Sequence, residues 1–350
     1  MLSLFNHNQN GLGLDVTGSS FKLFQLKKEG SRVSVLGFSD VALPKGLIVN
    51  DAIFDAKTFI YLLKQALLKP QSGKFSGNLV SASLPESKSF VRVIQVPEMQ
   101  DLELETAVPV EAESFIPLPI DQVYLDWQKL GQKGDKQEIL IIASPKDFVD
   151  KYLKILEDAG LNILALEVES QSCHRALVPF NLKQNCLIVD LDAFRTSLIM
   201  VEEGHLEFTS SIPIAGNSFT ESIARNLGIS SQKAEMIKRK VGIANTAEYP
   251  NIKTALLPVL NNLTAEIKNI IKFHSEHSEN KVEKVILAGG SAKLKGMAES
   301  LAPEFSESGI KFEVGNPWVN LPQIKNPPLD LFDSLSYTAA IGLAIRGIAE

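Results

Sequence analysis

Asp15 closes a short apolar strand in the stretch "GLGLDVTGSSFKLFQL" (residues 11–26), and a small polar turn follows it. A carboxylate at a strand end can hold a hydrated divalent cation. A turn of Thr17, Gly18, Ser19 and Ser20 can aim backbone N–H groups at an anion. Lys22, on the strand that leaves the turn, adds a positive charge seven residues after the acid. The same setting recurs in "LIVDLDAFRTSLIMVEEG" (187–204), where Asp190 ends an apolar strand and Asp192 through Thr196 lead into the next. A third turn, Gly289-Gly290-Ser291, follows an apolar strand and precedes a helical pattern, which suits close backbone approach to a ligand. Any one of these could be a plain hairpin or strand–helix turn. Together, in this order, they point to a phosphate site bridged by a cation.

The elements that must position these turns form an internal repeat. Residues 12–30 and 187–204 each read as strand, Asp, turn, strand, charged pair and Gly, with Asp15 matching Asp190 and Leu23 matching Leu198. A third strand follows each copy, then a helix: "AKTFIYLLKQALL" after the first, the shorter "NSFTESIARNLG" after the second. Two such units predict an α/β fold of two similar lobes, with the Asp-turns on opposite walls of one cleft. Residues 85–163 read as a separate strand-helix-strand-strand-helix module, whose first helix (100–116) contains Pro109. The expected division is 11–84 with 164–183 and 327–350 as the first lobe, 85–163 as an inserted subdomain, and 184–326 as the second lobe.

Composition narrows the function classes. The chain has 350 residues, 45% hydrophobic and 22% charged, the balance of a folded globular protein of more than one domain. A net charge of −6 argues against a nucleic-acid binder. Two cysteines, Cys173 and Cys186, make no disulfide framework and fit a reducing, cytoplasmic setting. The opening "MLSLFNHNQN" lacks the features of a signal peptide, and "LSYTAAIGLAIRGIA" reads as a buried helix, not a membrane span. No Walker A string occurs, and Gly11 with Gly13 is not a dinucleotide fingerprint, because a strand and hairpin follow them. His274 and His277 lie one helical turn apart without an evident third ligand, so a solvated helix end is expected there. His7, His174 and His205 read as surface or core histidines, and Lys238-Arg239-Lys240 as a solvated basic face.

These motifs resemble those of the actin-like ATPase superfamily, and within it the PilM family of type IV pilus assembly proteins, relatives of the cell-division protein FtsA. The resemblance covers nearly the whole chain. It implies an actin-like fold of two duplicated RNase H-like lobes with an inserted subdomain, binding ATP with Mg²⁺. Under it, Asp15 and Asp190 face the metal, and Gly18, Ser19, Ser20, Lys22, Asp192 and Thr196 the phosphates. "VILAGGSAKLKG" resembles the adenosine motif, through Gly289, Gly290 and Ser291, and "KAEMIK" supplies Glu235 and Lys238 to the nucleoside. "IPIAGN" adds the neighbouring turn at Gly216 and Asn217, and Glu167, with Glu169 as competitor, is the candidate to position an attacking water. "ASLPESKSFVRVIQVPEM", "EAESFIPLPIDQVYLDWQKLG" and "IASPKDFVDKYLKILEDAGLNILALEVES" resemble the family's inserted subdomain and its return.

The resemblance further implies docking to the N-terminal cytoplasmic tail of a PilN-like inner-membrane protein, contact with other pilus platform proteins, and a place at the inner face of the cytoplasmic membrane. Direct membrane insertion is not expected, since the chain stops just after its last helix. Two departures, Thr17 where the family has Gly and the extra carboxylate Asp192, lead to an expectation of ATP binding with slow or absent hydrolysis. A nucleotide-free adaptor, a small-molecule kinase of this fold and a filament-forming protein remain as alternative classes.

Overall fold

Two apolar hairpins seed two sheets in the computed structural model, which describes residues 8–181 and 183–349. His7 lies outside the described residues, as does most of the opening segment. The first lobe begins with an antiparallel meander of β1 (Asn8–Val16), β2 (Ser20–Glu29) and β3 (Arg32–Ala42). A small hairpin, β4 (Ile48–Val49) and β5 (Ala52–Ile53), then leads to α1 (Ala56–Leu68), β6 (Ser72–Gly73) and β7 (Leu79–Leu84). The chain leaves through β8 (Phe90–Pro97), α2 (Asp101–Ala112), β9 (Val123–Lys133) and β10 (Lys136–Pro145). It returns through α3 (Lys146–Asp158), β11 (Asn162–Val168) and α4 (Glu169–Leu177).

The second lobe repeats the meander with β12 (Cys186–Leu191), β13 (Thr196–Glu202) and β14 (His205–Ile212). Helices α5 (Gly216–Leu227), α6 (Ser231–Val241) and α7 (Ile252–His277) follow, then β15 (Lys284–Ala288), α8 (Met297–Leu301) and β16 (Lys311–Val314). The chain ends in α9 (Leu331–Ser334) and α10 (Thr338–Ala349). The sequence repeat is a repeat of topology. The run β11-β7-β1-β2-β3 has the same order and the same parallel and antiparallel senses as β16-β15-β12-β13-β14.

The inserted strands form their own meander with α2 over one face, where Leu104, Val108 and Ala112 pack with Ile94, Val96, Ile139 and Ile141. Although the chain enters them from the first lobe, they extend the second lobe's sheet, joined where Phe208 of β14 meets Arg92 of β8. That join covers a strand edge that would otherwise stay open to pairing. Helix α3, grouped with the insert on sequence grounds, contributes Val149, Tyr152 and Leu156 to the first lobe's core with Leu12, Leu14, Phe59 and Leu63.

Gly11 and Gly13 have a packing role. A methyl group on Gly13 would stand 2.2 Å from the Ala340 carbonyl oxygen, and one on Gly11 2.1 Å from that of Ala344. On the opposite side of α10, a methyl on Gly342 would stand 1.9 Å from the Ser172 carbonyl oxygen. The small-residue helix "TAAIGLAIRGIA" is therefore wedged backbone-to-backbone between β1 and α4. Among the described residues no helix is long and apolar enough to cross a membrane. Gly13→Ala or Gly342→Ala should each destabilise the protein by about 3 kcal/mol or more, since packed backbone cannot yield. Gly131→Ala, which meets open space, should shift stability by about 0.5 kcal/mol at most. Urea unfolding of the three variants tests this ranking.

Candidate functional site

The two Asp-turns have the same length. Val16 pairs with Phe21 and Leu191 with Thr196, leaving Thr17–Ser20 and Asp192–Arg195 as matching four-residue turns. Each is closed by one backbone bond, from the Thr17 N–H to the Ser20 oxygen at 2.9 Å and from the Asp192 N–H to the Arg195 oxygen at 3.1 Å. In register, Lys22 stands opposite Asp15 while Ser197 stands opposite Asp190, so only the first wall carries a lysine at that position.

Between the walls lies a narrow cleft, lined by Asp15, Glu169, Asp190, Asp192, Gly289, Ser336 and Thr338 among others. The Ser83 hydroxyl donates to Asp15 Oδ1 at 2.9 Å and accepts the Val16 N–H at 3.2 Å. The Cys173 thiol donates to Asp190 Oδ2 at 3.3 Å. Lys22 Nζ donates to Ser20 Oγ at 3.0 Å. Gly289 is required here: its φ is +80°, and a Cβ would lie 2.5 Å from Asp190 Oδ1. Gly18 is similarly crowded, with Phe194 of the opposite turn 2.8 Å from where its Cβ would stand, so the two turns touch. Arg195 of the second turn ties the two lobes further, donating to Asp51 Oδ2 at 2.5 Å across them and to Ser211 Oγ at 3.0 Å within its own. Asp51 reaches it from the β4–β5 turn, where Asn50 and Asp51 have φ of 50° and 62°, values suited to a two-residue hairpin.

Burial raises the carboxyl pKa of Asp15 despite the opposing effects of Lys22 and Ser83. Burial and then Asp192 hold Asp190 well above the carboxylate range. Burial and the neighbouring acids do the same to Glu169, and burial pushes Asp192 up to about 6. For Lys22, burial lowers the pKa, but the combined field of Asp15, Asp40, Asp192 and Asp190 outweighs it and the net shift is upward. Four acids with one lysine leave the cleft short of positive charge. A divalent cation suits that donor set. Among the described residues no three His, Cys, Asp or Glu side chains group closely enough to cage one, so it would keep most of its waters.

A second cluster adjoins the cleft. Lys238 Nζ donates to the Gly216 carbonyl oxygen at 2.8 Å and to Thr220 Oγ1 at 2.8 Å, and pairs with Glu235 at 2.7 Å. Burial raises the Glu235 pKa, but hydrogen bonds from Lys238, Thr220 and Arg239 prevail and hold it at about 2. Ser291 Oγ would lie 2.5 Å from a Cβ on Gly216. The Gly216 and Asn217 N–H groups bond to the Asp192 and Ala193 oxygens, both at 2.8 Å, which joins the start of α5 to the second turn. The structure thus brings the Gly216 turn, Glu235, Lys238 and Ser291 together, beside Asp190, Asp192 and Gly289.

Several expectations change. Glu167 does not line the cleft. It is buried on β11, held by both guanidinium nitrogens of Arg175 at 2.6 Å and by Arg346. Glu169, two residues on at the start of α4, occupies the cleft wall instead. Thr196 is fully buried and donates to the Ile214 oxygen at 2.6 Å, so its hydroxyl braces the turn. After Gly289 the chain makes a 3₁₀ turn over Gly290–Lys293 and only then the short α8, because Gly296 breaks the path in a left-handed conformation. Lys238 is buried, unlike the exposed Arg239 and Lys240. His274 is buried against Glu202 at 2.8 Å, and only His277 is solvated. Ser83, Cys173, Arg195 and Asp51 were missed. Only Ser81 and Ser83 left a trace in the sequence, as polar breaks in an otherwise buried strand.

The profile of the family described as "Type IV pilus assembly protein PilM" matches residues 13–348. A solved structure titled "PilM-PilN type IV pilus biogenesis complex" contains a chain 28% identical, with TM-score 0.81, covering 97% of this chain and 98% of that one. The ethanolamine utilization protein EutJ from Carboxydothermus hydrogenoformans matches at 16% identity and TM-score 0.57 over 96% of this chain and 89% of that one. The cell division protein FtsA of Bacillus subtilis is 22% identical over 87% of this chain and 79% of its own length. The two lobes have the actin-like fold.

Because the folded state binds the Asp192 proton more tightly than the unfolded chain does, its contribution to stability is complete below about pH 4 and is lost as pH rises through about 6. Asp192→Asn should therefore flatten the fall in melting temperature between these values. It should raise stability near pH 7 by about 3 kcal/mol. Thermal scans of both proteins across this range provide the check.

Proposed function

The chain belongs to the family of type IV pilus assembly proteins described as PilM, and from that premise we propose that it is an ATP-binding scaffold of the pilus or DNA-uptake platform. In this reading it docks the N-terminal tail of a PilN-like inner-membrane protein and works at the cytoplasmic face of that membrane. The observation that carries the nucleotide part is the charge imbalance of the cleft, where Asp15, Asp190, Asp192 and Glu169 face one lysine between two matching turns. The partner part draws on the 28% identical chain of the PilM–PilN complex.

Mg²⁺ would supply the positive charge that lets a triphosphate lie beside these acids. Asp15 and Asp190 would hold its hydration shell, and Lys22, released from Ser20, would reach a phosphate oxygen. Glu235 and Lys238 would fix the nucleoside side through the Gly216 turn. Hydrolysis would be slow for two reasons. Glu167 is locked by Arg175 and Arg346, and burial and neighbouring acids hold the Glu169 carboxyl well above its ordinary range, which disfavours the ionised form a base needs until a cation enters. A nucleotide-free adaptor is the second reading. It is favoured by the engaged N–H groups of Thr17, Asp192, Gly216 and Asn217, and by Phe194 resting on Gly18.

Titration calorimetry with Mg-ATP separates the two. Binding is expected, weakened at least about 100-fold by Asp190→Ala and little changed by Glu167→Gln; one buried charge contact accounts for a loss of that size. No heat with the native protein would leave the adaptor. A pull-down with a PilN-like N-terminal peptide tests the scaffold separately. Failure to retain the peptide both with and without ATP would remove the pilus assignment of the docking role.

A further inference from the structure

Helix α1 turns Phe59, Leu63 and Ala66 into the first lobe's core. At about 100° per residue, Lys57, Tyr61, Lys64 and Leu68 then fall within about 60° of one another on the opposite side. All four are exposed, Tyr61 at 62% and Leu68 at 75%. Phe54, just before the helix, is 81% exposed, and Lys69 follows its last turn. The face therefore carries Lys57, Tyr61, Lys64 and Leu68 in alternation, with Phe54 and Lys69 exposed just beyond its two ends. Among the described residues, no ion pair engages Lys57, Lys64 or Lys69. Asp55, the acid on this segment, spends its carboxylate capping Thr58. On the neighbouring α3, Asp147 and Asp158 are paired with Lys151 and Lys154, and Asp150 accepts from Tyr124. A protein of net charge −6 thus carries on this segment three lysines outside any ion pair beside the single acid Asp55, interleaved with rings and an aliphatic side chain.

We propose that this outer face of α1 is a peripheral contact for an anionic lipid surface, lying at headgroup depth with no segment spanning the bilayer. The chemistry matches on both counts. Lysine ammonium groups seek anionic headgroups while their methylene stems cover apolar surface, and an exposed Tyr, Phe and Leu gain from the acyl boundary. The contact is separate from the interlobe cleft and does not depend on nucleotide or on a partner protein.

Flotation with vesicles of phosphatidylglycerol and phosphatidylethanolamine, against vesicles of phosphatidylcholine, tests the assignment on the full chain. The native protein should float with the anionic vesicles alone, less so as salt rises. K57E/K64E/K69E should lose at least about 100-fold in affinity, at about fivefold for each of the three lysines. F54S/Y61S/L68S should weaken binding while keeping its salt dependence. Unchanged melting temperatures would show that the exposed substitutions leave the fold intact. Flotation of K57E/K64E/K69E equal to native, or no flotation of the native protein at low salt, overturns the proposal. So does self-association of the native protein without vesicles that the triple variant abolishes.

Discussion

The cleft between the lobes confines several carboxylates with too little positive charge, and much of the surrounding structure answers that constraint. Asp15 and Asp190 end strands whose interiors are apolar, so neither can turn away to solvent. Each receives a weak neutral donor, Ser83 in one lobe and Cys173 in the other, which orients the carboxylate without discharging it. Lys22 is shared by four acids. A folded protein keeps such a site only where surrounding packing holds it in place, and a cationic ligand is the simplest source of relief.

Duplication explains how the chain builds this arrangement from common parts. Both lobes use one order of strands, and both end their first hairpin strand with an aspartate before a four-residue turn. What differs is the side chains on those turns. The first has Thr17, Gly18 and Ser19, small enough to receive Phe194 from the second. The second has Arg195, long enough to cross to Asp51. The lobes therefore meet through an interlock of unlike turns, and only the first wall carries a lysine, on the strand that leaves its turn.

The sequence made much of this legible because strand-Asp-turn-strand is a local pattern, and a repeat of it constrains topology. Asp15, Lys22, Asp190, Asp192 and Gly289 all converge as that pattern implies. Glu167 did not, because β alternation sends residues 167 and 169 to places that depend on where the strand yields to α4, a boundary that one-dimensional spacing fixes poorly. The partners of Glu167 lie 8 and 179 residues away, and contacts of the second kind leave no local signature. Arg195 and Asp51 were unreadable for the same reason, being 144 residues apart. The edge-to-edge join of the insert to β14 rests on a single register pair, which no periodicity announces.

The wedge formed by α10 bears on how the chain reaches this fold. Lys28 on β2 donates to the Ile348 oxygen across 320 residues of sequence, and β1 is sealed by backbone that emerges only after the whole second lobe. The second lobe's meander, helices and β15–β16 come from one continuous stretch and can assemble as they are made. The first lobe's opening strands must wait, with the glycine-lined face of β1 uncovered, until the second lobe and α10 have been made. Contacts of that separation are slow to form. Synthesis therefore delivers the half-site containing Asp190 before the half-site containing Asp15 is closed, and a truncated chain would present a second lobe beside an unsealed first.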